Sequence, residues 1–178
     1  MPVNPYARTL LHIVIDLLNR PPAGPGDLAA RWAEAGMPLE RAAGPDDCAM
    51  VRDYLADWCR LIDAVTDADR VALLNEMLAR YATQPTVTDH DGTGWHIHYR
   101  HDDASFAGIL TAATTVAAAQ HLTGHGMHRL GRCALPECAG AYLDFSRPGR
   151  QRYCSHACAN RDAVRRYRTS RRARPAGR

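Results

Sequence analysis

Cys133-Ala134-Leu135-Pro136-Glu137-Cys138 and, fifteen residues further on, Cys154-Ser155-His156-Ala157-Cys158 form the pattern C-x4-C followed by C-x3-C. Two close pairs of thiols at this separation supply the four soft ligands of a tetrahedral zinc ion. The spacer suits the role. Ala141–Phe145 alternates as a strand, Arg147-Pro148-Gly149-Arg150 is a turn, and Gln151–Cys154 is expected to return as the second strand. Ser155 is placed to cap a helix whose first turn holds Cys158. There, free N–H groups and the positive helix end stabilise a thiolate. One structural Zn²⁺ held by Cys133, Cys138, Cys154 and Cys158 follows from the spacing. The alternative, four buried cysteines without a metal, fits a paired pattern in a polar segment poorly.

The order of knuckle, hairpin and helix resembles a treble-clef finger, and a segment with so few large apolar side chains needs a metal as a staple. Charge around it is uneven. All 22 basic residues are Arg, and the chain of 178 residues carries +3 overall. Residues 1–128 hold 9 Arg against 16 acids, or −7, while residues 129–178 hold 13 Arg against 3 acids, or +10. Such a division marks the basic part as the one that meets a polyanion. Zinc with four thiolates subtracts 2, leaving about +8. Arg129, Arg132, Arg152 and Arg161 are expected to offset that local anion. On the following helix Arg161, Arg165, Arg168 and Arg172 share one face, with Val164 and Tyr167 packing on the finger. The expected nucleic-acid contacts are Asn160, Arg161, Arg165, Arg166, Arg168, Arg171 and Arg172. For Asn160 and Arg161, so near the metal, a structural role, capping loops or bracing the thiolates, is the leading one, and base readout falls to Arg165 and Arg168. Residues 173–178 read as a disordered basic tail.

Upstream the chain reads as a mostly helical domain, residues 1–128, followed by the finger at 129–172. Helices are expected at Leu10–Asn19, Leu28–Ala35, from Pro45 to about Val65, at Asp67–Tyr81 and at Ala104–Leu122. Val71, Leu74, Leu78 and Tyr81 form the inward stripe of the fourth. Thr86–Thr88 and Trp95–Arg100 read as a small hairpin turning at Asp91–Gly92. The fold class is therefore mainly α with a small β-hairpin and a C-terminal treble-clef-like finger.

Leu10–Leu18 is too short and too polar to be a membrane span or a signal peptide. The chain is expected in the cytoplasm, associated with the nucleoid, where grouped cysteines favour metal over disulfides. Cys48 and Cys59 lack partner spacing and read as core residues. His96 with His98, and His121 with His125 and His128, have no carboxylate or cysteine at ligand spacing and read as exposed histidines. No P-loop, dinucleotide fingerprint, G-x-S-x-G or HExxH occurs, so an enzyme is not expected.

The runs Tyr142-Leu143-Asp144-Phe145-Ser146-Arg147, Arg152-Tyr153-Cys154-Ser155 and Cys158-Ala159-Asn160-Arg161 resemble the CGNR zinc finger. Ala159 stands where that family has its name-giving glycine. One methyl in a helical turn is expected to be tolerated. The preceding segment is similar to the ABATE domain at Asn19, Leu28-Ala29-Ala30-Arg31-Trp32, Gly36, Arg52 and Leu74-Asn75. The resemblance implies a stress-linked bacterial transcription regulator that binds double-stranded DNA through its finger. By the same analogy Asn19, Trp32, Arg52 and Asn75 would line a pocket for a small-molecule effector, with core hydrogen bonding as the plainer role. An RNA-binding protein and a zinc-scaffolded interaction adaptor are the rival readings, no membrane partner is expected, and a homodimer is compatible with the chain.

Overall fold

The computed structural model describes residues 6–89 and 94–173, with side chains through Arg171. The elements run α1 (Ala7–Asn19), α2 (Pro25–Glu34), α3 (Pro45–Asp63), α4 (Asp67–Tyr81), β1 (Thr86–Thr88), β2 (His96–His98), α5 (Phe106–His125), a 3-10 turn (Met127–Arg129), β3 (Leu130–Arg132), β4 (Ala141–Leu143) and α6 (His156–Ala173). The protein is mainly helical, with two antiparallel hairpins among the described residues. The turn expected at Asp91–Gly92 and residues 174–178 of the expected tail lie outside the described residues.

Helix α5 is the axis of the fold. Its Ala- and Thr-rich sequence is apolar around the whole circumference, the pattern of a helix enclosed by neighbours, and α1, α3 and α4 pack on it. Small side chains let those helices approach. Tyr54 of α3 is fully buried, and its hydroxyl meets Thr114 Oγ1 at 2.6 Å and Thr115 Oγ1 at 2.9 Å. Thr114 in turn donates to Leu110 O at 2.7 Å. Asp47 joins the starts of two helices, accepting from Gly44 N and Ala107 N, each at 2.8 Å. Burial alone would raise its pKa, but the bonds from Ala107, Gly44 and Ser105 outweigh that and hold the carboxyl below its usual value.

The expected stripe of α4 holds at Leu74, with Leu78 and Tyr81 half-buried, but not at its start. Val71 is exposed, and Arg70 is buried with Leu74 and Met77. The Arg70 guanidinium donates to Leu61 O (3.2 Å), Ile62 O (3.1 Å) and Ala64 O (3.1 Å), the orphan carbonyls at the end of α3. It also donates to Met127 O and to Leu130 O (3.1 Å), where the chain enters β3. A cation at a helix C-terminus is favourable, so one side chain closes α3 and anchors the next segment.

The core continues past residue 128. Leu130, Ala141 and Leu143 of the second hairpin belong to the same buried cluster as Leu10, Val14, Trp58 and Leu110. In β1–β2 the pairs are Thr86 with His98, Val87 with Ile97 and Thr88 with His96; Val87, Ile97 and Trp95 are exposed. Among the described residues no helix is long and apolar enough to cross a membrane.

Candidate metal centre and basic helix

The first cysteine pair sits at the tip of the β3–β4 hairpin, where Leu130 pairs with Leu143, Gly131 with Tyr142 and Arg132 with Ala141. This corrects the expected hairpin: the partner of Ala141–Leu143 is the strand before Cys133, and Gln151–Cys154 is not a strand. The cause is local. Asp144 Oδ1 accepts from Ser146 N (2.7 Å) and Oδ2 from Gln151 N (2.9 Å), so one buried carboxylate ties the loop that a ladder would otherwise close. Pro148 has no N–H to offer a ladder, and Gly149 turns the chain at φ +65°. A single bond, Ala134 N to Arg152 O at 2.7 Å, holds the returning segment to the knuckle.

The second pair lies at the start of α6. Ser155 caps it as expected: Cys158 N donates to Ser155 Oγ at 3.2 Å. The helix runs unbroken through Ala159, whose N–H donates to Ser155 O at 3.1 Å, so the methyl in place of glycine is accommodated.

The four sulfur atoms lie within 4.8 Å of one another. Cys138 to Cys154 is 3.6 Å, Cys154 to Cys158 is 3.7 Å and Cys158 to Cys138 is 3.8 Å. A zinc ion with bonds of about 2.3 Å requires tetrahedron edges of about 3.8 Å. The donors thus stand at the corners that one structural zinc occupies. Four thiols so close cannot all ionise unaided: burial pushes Cys154 up to about 12, while the Ser155 hydroxyl brings Cys158 down to about 7. A divalent cation removes that conflict. Further donors point at the sulfurs, Gly140 N to Cys138 Sγ at 3.4 Å and Arg161 Nη2 to Cys158 Sγ at 3.5 Å. Leu135 and Tyr153 pack around the cluster.

Gly140, which the sequence does not single out, and Asn19, expected instead in an effector pocket, shape the centre. Gly140 has no room for a side chain, since a β-carbon there would stand 2.9 Å from Cys154 Sγ. Asn19, at the end of α1, accepts from Ala141 N (2.7 Å) and donates to Ala141 O (2.9 Å), fixing the strand that follows the knuckle. Neither role is legible in the sequence, because each acts on a neighbour brought in by folding.

The arginines divide differently from the expectation. Of the four assigned to offset the thiolates, Arg161 alone bonds to a sulfur of the cluster among the described residues. Arg129 is buried under the finger loop, donating to Ser146 O and to His125 O (3.2 Å). Arg132 makes a two-pronged pair with Asp63 at 2.8 and 2.7 Å, and Arg152 is exposed. On α6, Val164 and Tyr167 are exposed rather than packed on the finger. Arg165 and Arg166 are not unpaired: Asp162, 5% exposed, bonds Arg165 through Oδ1 and meets Arg166 Nε at 3.1 Å through Oδ2. Tyr153 donates to the same Oδ2 at 2.6 Å, and this bond with the two guanidiniums holds the Asp162 carboxyl below its usual value. Asn160 and Arg168 are exposed, and Arg171 lies over the Tyr167 ring at 5.9 Å. The side chain of Arg172 lies outside the described residues.

The four residues of the expected effector pocket are not gathered into one. Asn19 is bound to β4, Trp32 is buried with its indole N–H on Pro38 O at 2.9 Å, and Arg52 and Asn75 are exposed on α3 and α4. A cleft of about 700 Å³ opens elsewhere, between Met50, Tyr81, Thr83, Arg100 and Thr111. Cys48 and Cys59 are half-buried and apart from the sulfur cluster. His96 and His98 face each other with Nε2 atoms 3.0 Å apart, but no third ligand joins them among the described residues.

Residues 129–172 match the sequence model of the CGNR zinc finger. No curated protein matches the chain.

Proposed function

We propose that this zinc-binding protein is a DNA-binding regulator of transcription, in which α6 meets duplex DNA and residues 1–128 form a regulatory domain of the ABATE kind. The exposed length of α6 carries the proposal. Every residue from Ala163 to Arg171 is exposed, and no acid follows Asp162 in the chain. A helix of 18 residues spans about 27 Å, and a basic one suits a major groove about 12 Å wide. Its inner end is fixed by the metal and its outer turns offer Arg168 and Arg171 to phosphates. The helical domain is tied to the hairpin of the finger through Asn19 on β4 and Arg70 on Leu130 O.

One observation favours a second reading. Tyr167, 60% exposed beside Arg171, is a surface on which an unpaired base could stack, as in proteins that bind single strands. A titration of labelled random-sequence duplex, with single-stranded RNA and DNA as competitors at several salt concentrations, separates the two. Duplex binding should weaken steeply with salt, and Arg168→Ala with Arg171→Ala should lower the salt slope by roughly 2. Equal binding by that double variant at every salt concentration sinks the assignment of α6. Preferred displacement by single strands supports the second reading.

A further inference from the structure

Asp162 is an acid inside the face expected to meet a polyanion, and it is almost fully buried. Its two oxygens receive Tyr153 Oη, Arg165 Nη2 and Arg166 Nε. Arg152 stands near Tyr153 as well, close enough to act on its hydroxyl. A carboxylate at this position lowers the net attraction for nucleic acid by one charge. By compensation it fixes two long side chains that would otherwise each lose about 2 kcal/mol of rotamer freedom on binding. A guanidinium has five N–H donors, so Arg165 and Arg166 retain donors after bonding to Asp162.

We propose that Asp162 is a positioning residue that orders Arg165 and Arg166 into a paired-guanidinium clamp for a backbone phosphate of the bound duplex. This rests on the reading of α6 as the DNA-contacting helix and gives its arginines distinct tasks. Arg165 and Arg166, held in place, set where the backbone lies. Arg168 and Arg171, with no carboxylate partner among the described residues, reach along the groove. Phosphate contacts of this ordered kind fix register and carry no base sequence.

Charge and order make opposite predictions for one substitution, which makes the test decisive. Asp162→Asn adds one positive charge, so charge alone tightens binding. Loss of ordering loosens it. Full-length zinc-loaded protein is titrated with a random-sequence duplex across a range of salt concentrations, beside the wild type. The clamp predicts roughly fivefold weaker binding for Asp162→Asn, with the salt slope reduced by roughly 1 despite the added charge. It also predicts that the same substitution made together with Arg165→Gln and Arg166→Gln no longer weakens binding. Tyr153→Phe, which leaves charge unchanged, should weaken binding in the same direction by a smaller factor. Binding by Asp162→Asn as tight as or tighter than wild type, at unchanged zinc content and helicity, overturns the clamp. Should Asp162→Asn lose zinc or helix, Tyr153→Phe decides, and wild-type affinity in that folded variant overturns it. Failure of the wild type to bind duplex at any salt concentration instead overturns the underlying reading of α6.

Discussion

Adding one methyl group at Gly140 should loosen the metal, whereas the same addition at Gly124 should not. A β-carbon on Gly140 would lie 2.9 Å from Cys154 Sγ, 3.2 Å from Asn19 Oδ1 and 3.3 Å from Cys138 Sγ. Ordinary contact begins at 3.4 Å, so the Cys154 sulfur must retreat by 3.4 minus 2.9, or 0.5 Å. Zinc–ligand distances vary by only about 0.2 Å, so the sulfur cannot yield that far and stay bound. The backbone cannot yield freely either. Gly140 O accepts from Cys133 N at 2.7 Å, and the next residue is gripped from both sides by Asn19. Overpacking of this kind costs about 1–3 kcal/mol. At 1.4 kcal/mol per decade, Gly140→Ala should bind zinc roughly ten- to a hundredfold more weakly. Competition against a chromophoric chelator measures this directly. Gly124 lies near the end of α5 with nothing within 4 Å of its missing β-carbon. Gly124→Ala should therefore leave zinc affinity unchanged and stabilise the helix by up to about 1 kcal/mol. A Gly140→Ala protein with wild-type zinc affinity would refute the geometry of the knuckle.

Two other outcomes follow from buried polar groups. Arg70→Ala strips five carbonyl oxygens of their donor. At about 1 kcal/mol for each, less what water recovers, the protein should lose roughly 3–5 kcal/mol in urea unfolding; Arg70→Lys, lacking the fork, should recover only part, and full recovery would show that charge alone matters. His121 is half-buried between Phe145 and His125, and burial, with Arg129 and His125 nearby, lowers its pKa. Its folded state resists protonation, so its contribution is complete above the unfolded value near 6.5 and is lost as pH falls below it. His12, on the other side of Phe145, is lowered by burial and by Arg8, and acts in the same sense. Urea midpoints should fall between about pH 8 and about pH 6 at constant zinc content, and His121→Gln should flatten that slope. An unchanged slope would remove His121 from the account.

The helices were legible because their signals are local. The periodic stripe of α3, with Val51, Tyr54, Leu55, Trp58, Leu61 and Ile62, is buried as its spacing demands. Thr66 caps α4 through Asp69 N at 3.1 Å, one residue before the start expected from Asp67. The expected hairpin of the finger failed for the opposite reason. Alternation marks Ala141–Leu143 as a strand, but a strand's partner is chosen by contacts along the whole chain. Here α1 supplies the deciding contact, since Asn19 and the shared core draw β4 toward the helical domain and leave β3 as its partner.

The same division runs through the site. The four metal ligands followed from the sequence alone, because a metal needs a fixed set of donors and short spacings deliver them in pairs. The charge asymmetry was equally plain, being a matter of counting. Which arginines face solvent was not. Arg129 and Arg132 bond to the fold, Arg161 to a sulfur, and Arg165 and Arg166 to Asp162, while Arg168 and Arg171 have no carboxylate partner among the described residues. A guanidinium carries the same charge wherever it stands, so composition registers all of them alike. Its partner is set by distance, and distances between residues far apart in the chain exist only once the chain has folded.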